Sequence, residues 1–222
     1  MYTIGLIDEE EDQLRKIRKT IKSNLQHLPS LNEQKIDFKS YDLNDDGNLI
    51  VHQAIGEVIN DVKENLIHGL IIDYKLIAKS GSAKGTDIYD GLKTIISEFP
   101  TVILTEIIED CLKVDFVDPD KVYRKIDFFN ANSEYSVEKT ANIFRNMERY
   151  VNQRESLESN LEHIKEIMAS DNSQEIVDEL IKVETSLDNF VPLHQSHIDK
   201  AVDSGKLKEI LELIHEINKS LE

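Results

Sequence analysis

Alternating strand-like and helical segments over residues 1–132 predict an α/β fold, a doubly wound five-stranded parallel sheet. A sustained apolar repeat at spacings of three and four over residues 133–222 predicts an all-α, coiled-coil-like extension to it. In the order of the chain, "YTIGLI" (2–7) reads as a strand. The segment after it places Leu14, Ile17, Ile21 and Leu25 on one helical face. "KIDFKSYD" (35–42) is the next strand, and "NDDGNLIVHQAIGEVINDVKENL" supplies turn residues and then a helix carrying Ile55, Val58, Ile59 and Val62. "GLIID" (69–73) is apolar on both faces, the mark of a strand buried inside a parallel sheet. "AKSGSAKG" reads as a flexible piece, and "TDIYDGLKTIISEF" as a helix closed by Pro100. "TVILT" (101–105) and "KVYRKI" (121–126) complete the strand set.

Beyond Ser133 the rhythm changes. Ile143, Met147, Tyr150, Arg154, Leu157, Leu161, Ile164 and Met168 form a heptad seam with one polar position, Arg154. Asp171 and Asn172 interrupt it, and Ile176, Leu180, Val183, Leu187 and Phe190 resume it up to Pro192. A third helical stretch is expected from Leu193 onward. The seam suits either the interior of an intrachain bundle or a homodimer interface, and Arg154 would set register in the second case.

Charge narrows the function. With 43 acidic and 26 basic residues the chain carries −17, a field that repels phosphate backbones and anionic lipid alike. Residues 136–222 hold 18 acidic against 10 basic residues and no basic stripe, so neither nucleic acid nor membrane is an expected partner. The single cysteine, Cys111, excludes an intrachain disulfide. With no leader-like opening and no run of about 20 apolar residues, a cytoplasmic protein is expected. His163, His194, His197 and His215 invite a phosphotransfer or metal-binding reading of the tail, but none comes with the basic groove or third ligand that such chemistry needs.

The carboxyl ends of parallel strands are where open α/β sheets bind ligands. Asp8 and Glu9 end the first predicted strand, Asp73 the third, Thr105 the fourth, and Lys125 lies at the end of the fifth. Each has a plainer reading alone: an acidic helix start, a loop aspartate, an N-cap, a solvated cation. Together, three carboxylates able to hold Mg²⁺, with a hydroxyl and an ammonium able to contact phosphoryl oxygens, are the parts of metal-assisted phosphoryl transfer to a carboxylate.

In that order and chemistry residues 1–132 resemble the response-regulator receiver domain of two-component signalling. The resemblance implies a flavodoxin-like fold and a phosphorylation-dependent switch, with self-phosphorylation and self-dephosphorylation as its only enzymatic chemistry. It implies Asp73 as phosphoacceptor, Asp8 and Glu9 as the acid pair that holds Mg²⁺ with it, Thr105 as switch hydroxyl and Lys125 as the lysine on the phosphoryl group. The expected donor is a sensor histidine kinase or phosphotransfer protein, and residues 133–222 would bind a protein partner. The chain departs from the family pattern at Ile77 and Ile126, where proline is usual, at Val122, where an aromatic is common, and at Glu106, where a small residue is usual. Two other readings remain: a pseudo-receiver serving as a phosphorylation-independent scaffold, and a Mg²⁺-dependent phosphohydrolase. Against the second, Lys75 stands where that enzyme class has a second aspartate.

Overall fold

Five segments rich in β-branched and aliphatic residues pair side by side in an all-parallel sheet in the computed structural model. It describes residues 1–31, 35–41, 48–78, 81–169 and 173–192. The strands are β1 (Tyr2–Ile7), β2 (Ile36–Ser40), β3 (Gly69–Asp73), β6 (Thr101–Thr105) and β7 (Val122–Arg124), in the order β2-β1-β3-β6-β7. Strands β4 (Lys75–Ala78) and β5 (Gly81–Lys84) form a separate antiparallel hairpin. Helices α1 (Glu11–Asn24), α2 (Asn48–Lys63), α3 (Gly85–Ile95), α4 (Ile108–Cys111) and α5 (Lys125–Phe128) connect or follow the strands, and α6 (Glu134–Met168) and α7 (Gln174–Asp188) come last.

The chain is therefore α/β with a helical extension, as the alternation predicts. The period of two along each strand divides the core between two faces. Ile4, Leu6, Ile71, Val102 and Leu104 point to the face covered by α1 and the first half of α6. Ile7, Leu70, Ile72 and Ile103 point to the face covered by α2 and α3. The central strands β3 and β6 are buried at every residue, which accounts for their unbroken apolar runs.

The structure corrects four local expectations. The flexible piece after Asp73 is the β4–β5 hairpin, anchored by the buried Leu76. The fifth strand stops at Arg124, and Lys125 opens the short helix α5. Helix α3 stops at Ile95, short of Phe99. Between β6 and β7 there is no full crossover helix but the four-residue α4 and a turn at Pro119–Lys121, because "VDFVDPD" offers no helical apolar face. The third helical stretch expected from Leu193 lies outside the described residues. Among the described residues no helix is long and apolar enough to cross a membrane.

The heptad seam is occupied within the chain. Met147 packs on the start of β3, where a Cβ on Gly69 would meet its Cγ at 2.8 Å. Tyr150 meets Phe99 edge-on at 5.3 Å, stacks on Phe190 at 5.5 Å, and donates to the Phe190 carbonyl. Beyond it Leu161 and Ile164 join Val183 and Leu187 of α7 in one core. Arg154, the polar seam position, donates from Nη1 to the Val62 carbonyl at 2.7 Å and from Nη2 to that of Lys63 at 3.5 Å, capping the last turn of α2. Hydrogen bonds from a charged donor are worth about 1.5–3 kcal/mol. Arg154→Met is thus expected to lower stability by about 2 kcal/mol in urea melts, with the far-UV spectrum retained; an unchanged midpoint would show that the cap contributes nothing.

Candidate functional site

Parallel pairing brings the ends of β1 and β3 side by side, with Ile7 opposite Ile72 and Asp73 opposite Leu104. Asp8, one residue past β1, and Asp73, the last of β3, consequently lie at one edge of the sheet. An oxygen from each of Asp8, Glu9 and Asp73 falls within 4.8 Å of the others. Lys125, brought to the same edge by β7, reaches both aspartates: Nζ is 2.8 Å from Asp73 Oδ2 and 3.4 Å from Asp8 Oδ2. All three are withdrawn from solvent, Asp8 at 4% exposure and Asp73 and Lys125 at 8% each.

Those contacts set the electrostatics. Burial raises the Asp73 pKa to about 6; Lys125 opposes the rise, and Asp8 and Glu9 add to it. Burial likewise raises Asp8, against the backbone N–H of Glu10, which donates to its Oδ1 at 2.9 Å, and against Lys125. Burial disfavours the Lys125 ammonium, but Asp73 and Asp8 outweigh it and its pKa lies above the ordinary value. With the three carboxylates ionised, the cluster and Lys125 together carry two uncompensated negative charges.

A cleft of about 100 Å³ opens over the cluster, lined by Glu9, Glu10, Gln13, Asp73, Tyr74, Lys75, Thr105, Glu106, Ile107 and Lys125. Every site residue singled out from sequence is therefore at this edge, with Lys75 and Glu106 at the same mouth. The Thr105 hydroxyl is engaged locally: it donates to the Ile107 carbonyl at 3.1 Å and accepts from the Ile107 N–H at 3.2 Å, which shapes the entry to α4.

Two further residues were not marked by any sequence pattern. Gly85 opens α3 directly against β3; its N–H donates to the Tyr74 carbonyl at 2.8 Å, and a Cβ there would sit 2.0 Å from the Asp73 carbonyl oxygen. Only glycine permits that approach. Gln13 lies one turn into α1, and its Oε1 is buried without a hydrogen-bond partner. An orphaned acceptor beside three carboxylates suits a hydrated divalent cation, whose bound water would donate to it. Oxygen donors, a net charge of −2 and the buried acceptor all fit Mg²⁺, with Asp8, Glu9 and Asp73 as the residues to hold it.

The chain matches no model of a known protein family, and no curated protein is significantly similar to it.

A carboxyl group whose pKa is raised by folding contributes stability below its ordinary pKa and loses it as pH rises through the folded value. For Asp73 that window runs from 3.8 to about 6. In EDTA the wild type is expected to lose stability relative to Asp73→Asn across this window, by about 1 kcal/mol after allowance for solvent screening. Mg²⁺ should restore the wild type and leave Asp73→Asn unmoved. Urea melts from pH 4 to 7.5 read both effects, and parallel curves with equal Mg²⁺ responses would remove the metal assignment.

Proposed function

We propose that residues 1–132 form a flavodoxin-like receiver of the response-regulator type, a switch that accepts a phosphoryl group on Asp73 and signals through the helical extension to a protein partner. The observation that carries this reading is the buried Asp73–Lys125–Asp8 contact at the carboxyl edge of β1 and β3, beside Glu9 and Thr105. The strand order β2-β1-β3-β6-β7 is consistent with it.

The chemistry follows from where charge moves. Asp73 attacks as a carboxylate; one of its oxygens forms the new bond to phosphorus while the bond from phosphorus to the donor's leaving atom breaks, and the leaving group departs with its electron pair. With a phosphohistidine protein as donor, that leaving group is an imidazole nitrogen, which takes up a proton. Mg²⁺, when bound, neutralises the phosphoryl oxygens during transfer. Phosphorylation removes the Asp73 carboxylate charge and puts a dianionic phosphoryl group in its place. Lys125, which holds Asp73 at 2.8 Å, would follow that charge outward. Thr105 would exchange the Ile107 carbonyl for a phosphoryl oxygen. These two exchanges are the switch in this reading, and the loss of the Ile107 bond frees the entry to α4.

Asp73→Asn is expected to abolish a Mg²⁺-dependent +80 Da adduct formed with a small phosphodonor, as read by intact-mass spectrometry. An adduct that persists in Asp73→Asn would overturn the acceptor. No adduct in the wild type, together with partner binding that ignores phosphodonor, would identify a scaffold instead.

Glu106 and Lys75 are both exposed and both line the cleft through which an anionic donor or hydrolytic water would enter. A single charge at such a position is worth about 1 kcal/mol, or about fivefold in rate. Glu106→Ala is expected to speed both labelling and loss of the acyl phosphate by about that factor, and Lys75→Ala to shorten its lifetime. Equal lifetimes in all three proteins would show that neither side chain gates the site.

A further inference from the structure

At the amino-terminal edge of the sheet, away from the acidic cleft, a second cavity of about 180 Å³ opens between the end of α3, the start of β6 and the middle of α6. Three cations line it from three separate elements: Lys93 of α3, Lys121 of the turn before β7, and Arg149 of α6. None of them is in an ion pair among the described residues; the Lys93 ammonium donates to the Ser97 carbonyl. Burial lowers the Lys93 pKa, and Lys121 adds to that effect, whereas Glu98 and Asp118 oppose it. Glu98 lines the same cavity and Asp118 does not, so three cations against one carboxylate leave the lining with a positive surplus. In a chain of charge −17, three cations around a cavity with one lining carboxylate favour an anionic occupant.

We propose that this cavity binds a compact phosphate-class oxyanion, an inorganic or organic phosphate or diphosphate. The planar guanidinium of Arg149 can take two oxygens side by side, and the two lysines add point charges. Phe99 and Tyr150, both buried, also line the cavity. The volume of about 180 Å³ suits a ligand of this size.

The site also joins two parts of the molecule. Lys93 and Lys121 belong to the α/β unit and Arg149 to the long helix that carries α7. The rim is already tied to the end of α7: Ser97 Oγ donates to Asn189 Oδ1 at 3.3 Å, and the Glu98 N–H to the Asn189 carbonyl at 3.0 Å. An anion bound here bridges sheet and helical hairpin and holds them together. The inference does not rest on phosphoryl transfer to Asp73.

The test is an NMR titration of the full chain with inorganic pyrophosphate, in EDTA and at fixed ionic strength, following the amides of Ser97, Glu98 and Asn146. Saturable shifts are expected, weakened at least about tenfold in Lys121→Ala/Arg149→Ala and to an intermediate degree in Arg149→Lys, which keeps the charge without the fork. Asp73→Asn should bind like the wild type. The melting temperature should rise with pyrophosphate in the wild type and not in the double variant. Shifts that fail to saturate, or that survive the double substitution, would overturn the site. Saturation by citrate with equal affinity would overturn the phosphate class.

Discussion

The contact of Lys125 with Asp73 and Asp8 is the constraint around which the carboxyl edge of the sheet is organised. Two aspartates buried a few ångströms apart repel each other and are both poorly solvated, so each resists ionisation. A single ammonium shared between them makes the arrangement tolerable. For the ammonium to arrive there, β7 must stand at the far edge of the sheet and end one residue before Lys125. For the aspartates to meet, β1 and β3 must be parallel neighbours in a fixed register. The strand order and three strand lengths therefore converge on one nitrogen and two carboxylates.

Much of this was legible in the sequence because burial writes a simple code. Strands covered on both faces must be apolar at every position, so "GLIID" and "TVILT" stood out, and a polar residue ending such a run had to lie at the sheet's edge. What remained hidden depends on contacts distant in sequence. Apart from Leu76 and Ile77 the β4–β5 hairpin is spelled in Lys, Ser, Gly and Ala, a composition shared with loops, and the packing of Leu76 is seen only in its burial. Gly85 looks like any loop glycine until the Asp73 carbonyl is found 2.0 Å from where its Cβ would be. Gln13 sits in an acidic helix start and acquires meaning from its unpaired oxygen. Arg154 interrupts a heptad seam, a pattern that suited a register device between chains, whereas its partners are the last carbonyls of α2, some 90 residues away.

The same constraint separates the two halves of the molecule. The acidic cluster of Asp8, Glu9 and Asp73 lies at the carboxyl edge, while α6 leaves the sheet at the opposite edge, where Met147 meets Gly69 and Tyr150 meets Phe99. The aromatic contacts of Tyr150 with Phe99 and Phe190, and the cap that Arg154 places on α2, anchor the helical hairpin to the α/β unit through buried groups. The seam is consumed by the chain's own core, so any partner of the helices would use other surfaces. Ile181, an apolar residue of α7 left 55% exposed, lies on such a surface.

Helix α3 is the element that touches both ends. It begins at Gly85, hydrogen-bonded to Tyr74 and pressed against the Asp73 carbonyl, and its far end leads into Ser97 and Glu98, which are bonded to Asn189 at the end of α7. Its eleven residues span about 16 Å as one rigid rod. Because the Gly85 contact has no slack, a shift of the β3 terminus cannot be absorbed locally and must displace the start of α3. The Asn189 contacts at the other end are exposed or peripheral hydrogen bonds, each worth about 1 kcal/mol, and are the weaker of the two attachments. Strain entering at Asp73 would therefore be relieved first at the junction with α7, by the ordinary rule that a stiff element between a tight and a loose joint moves at the loose one.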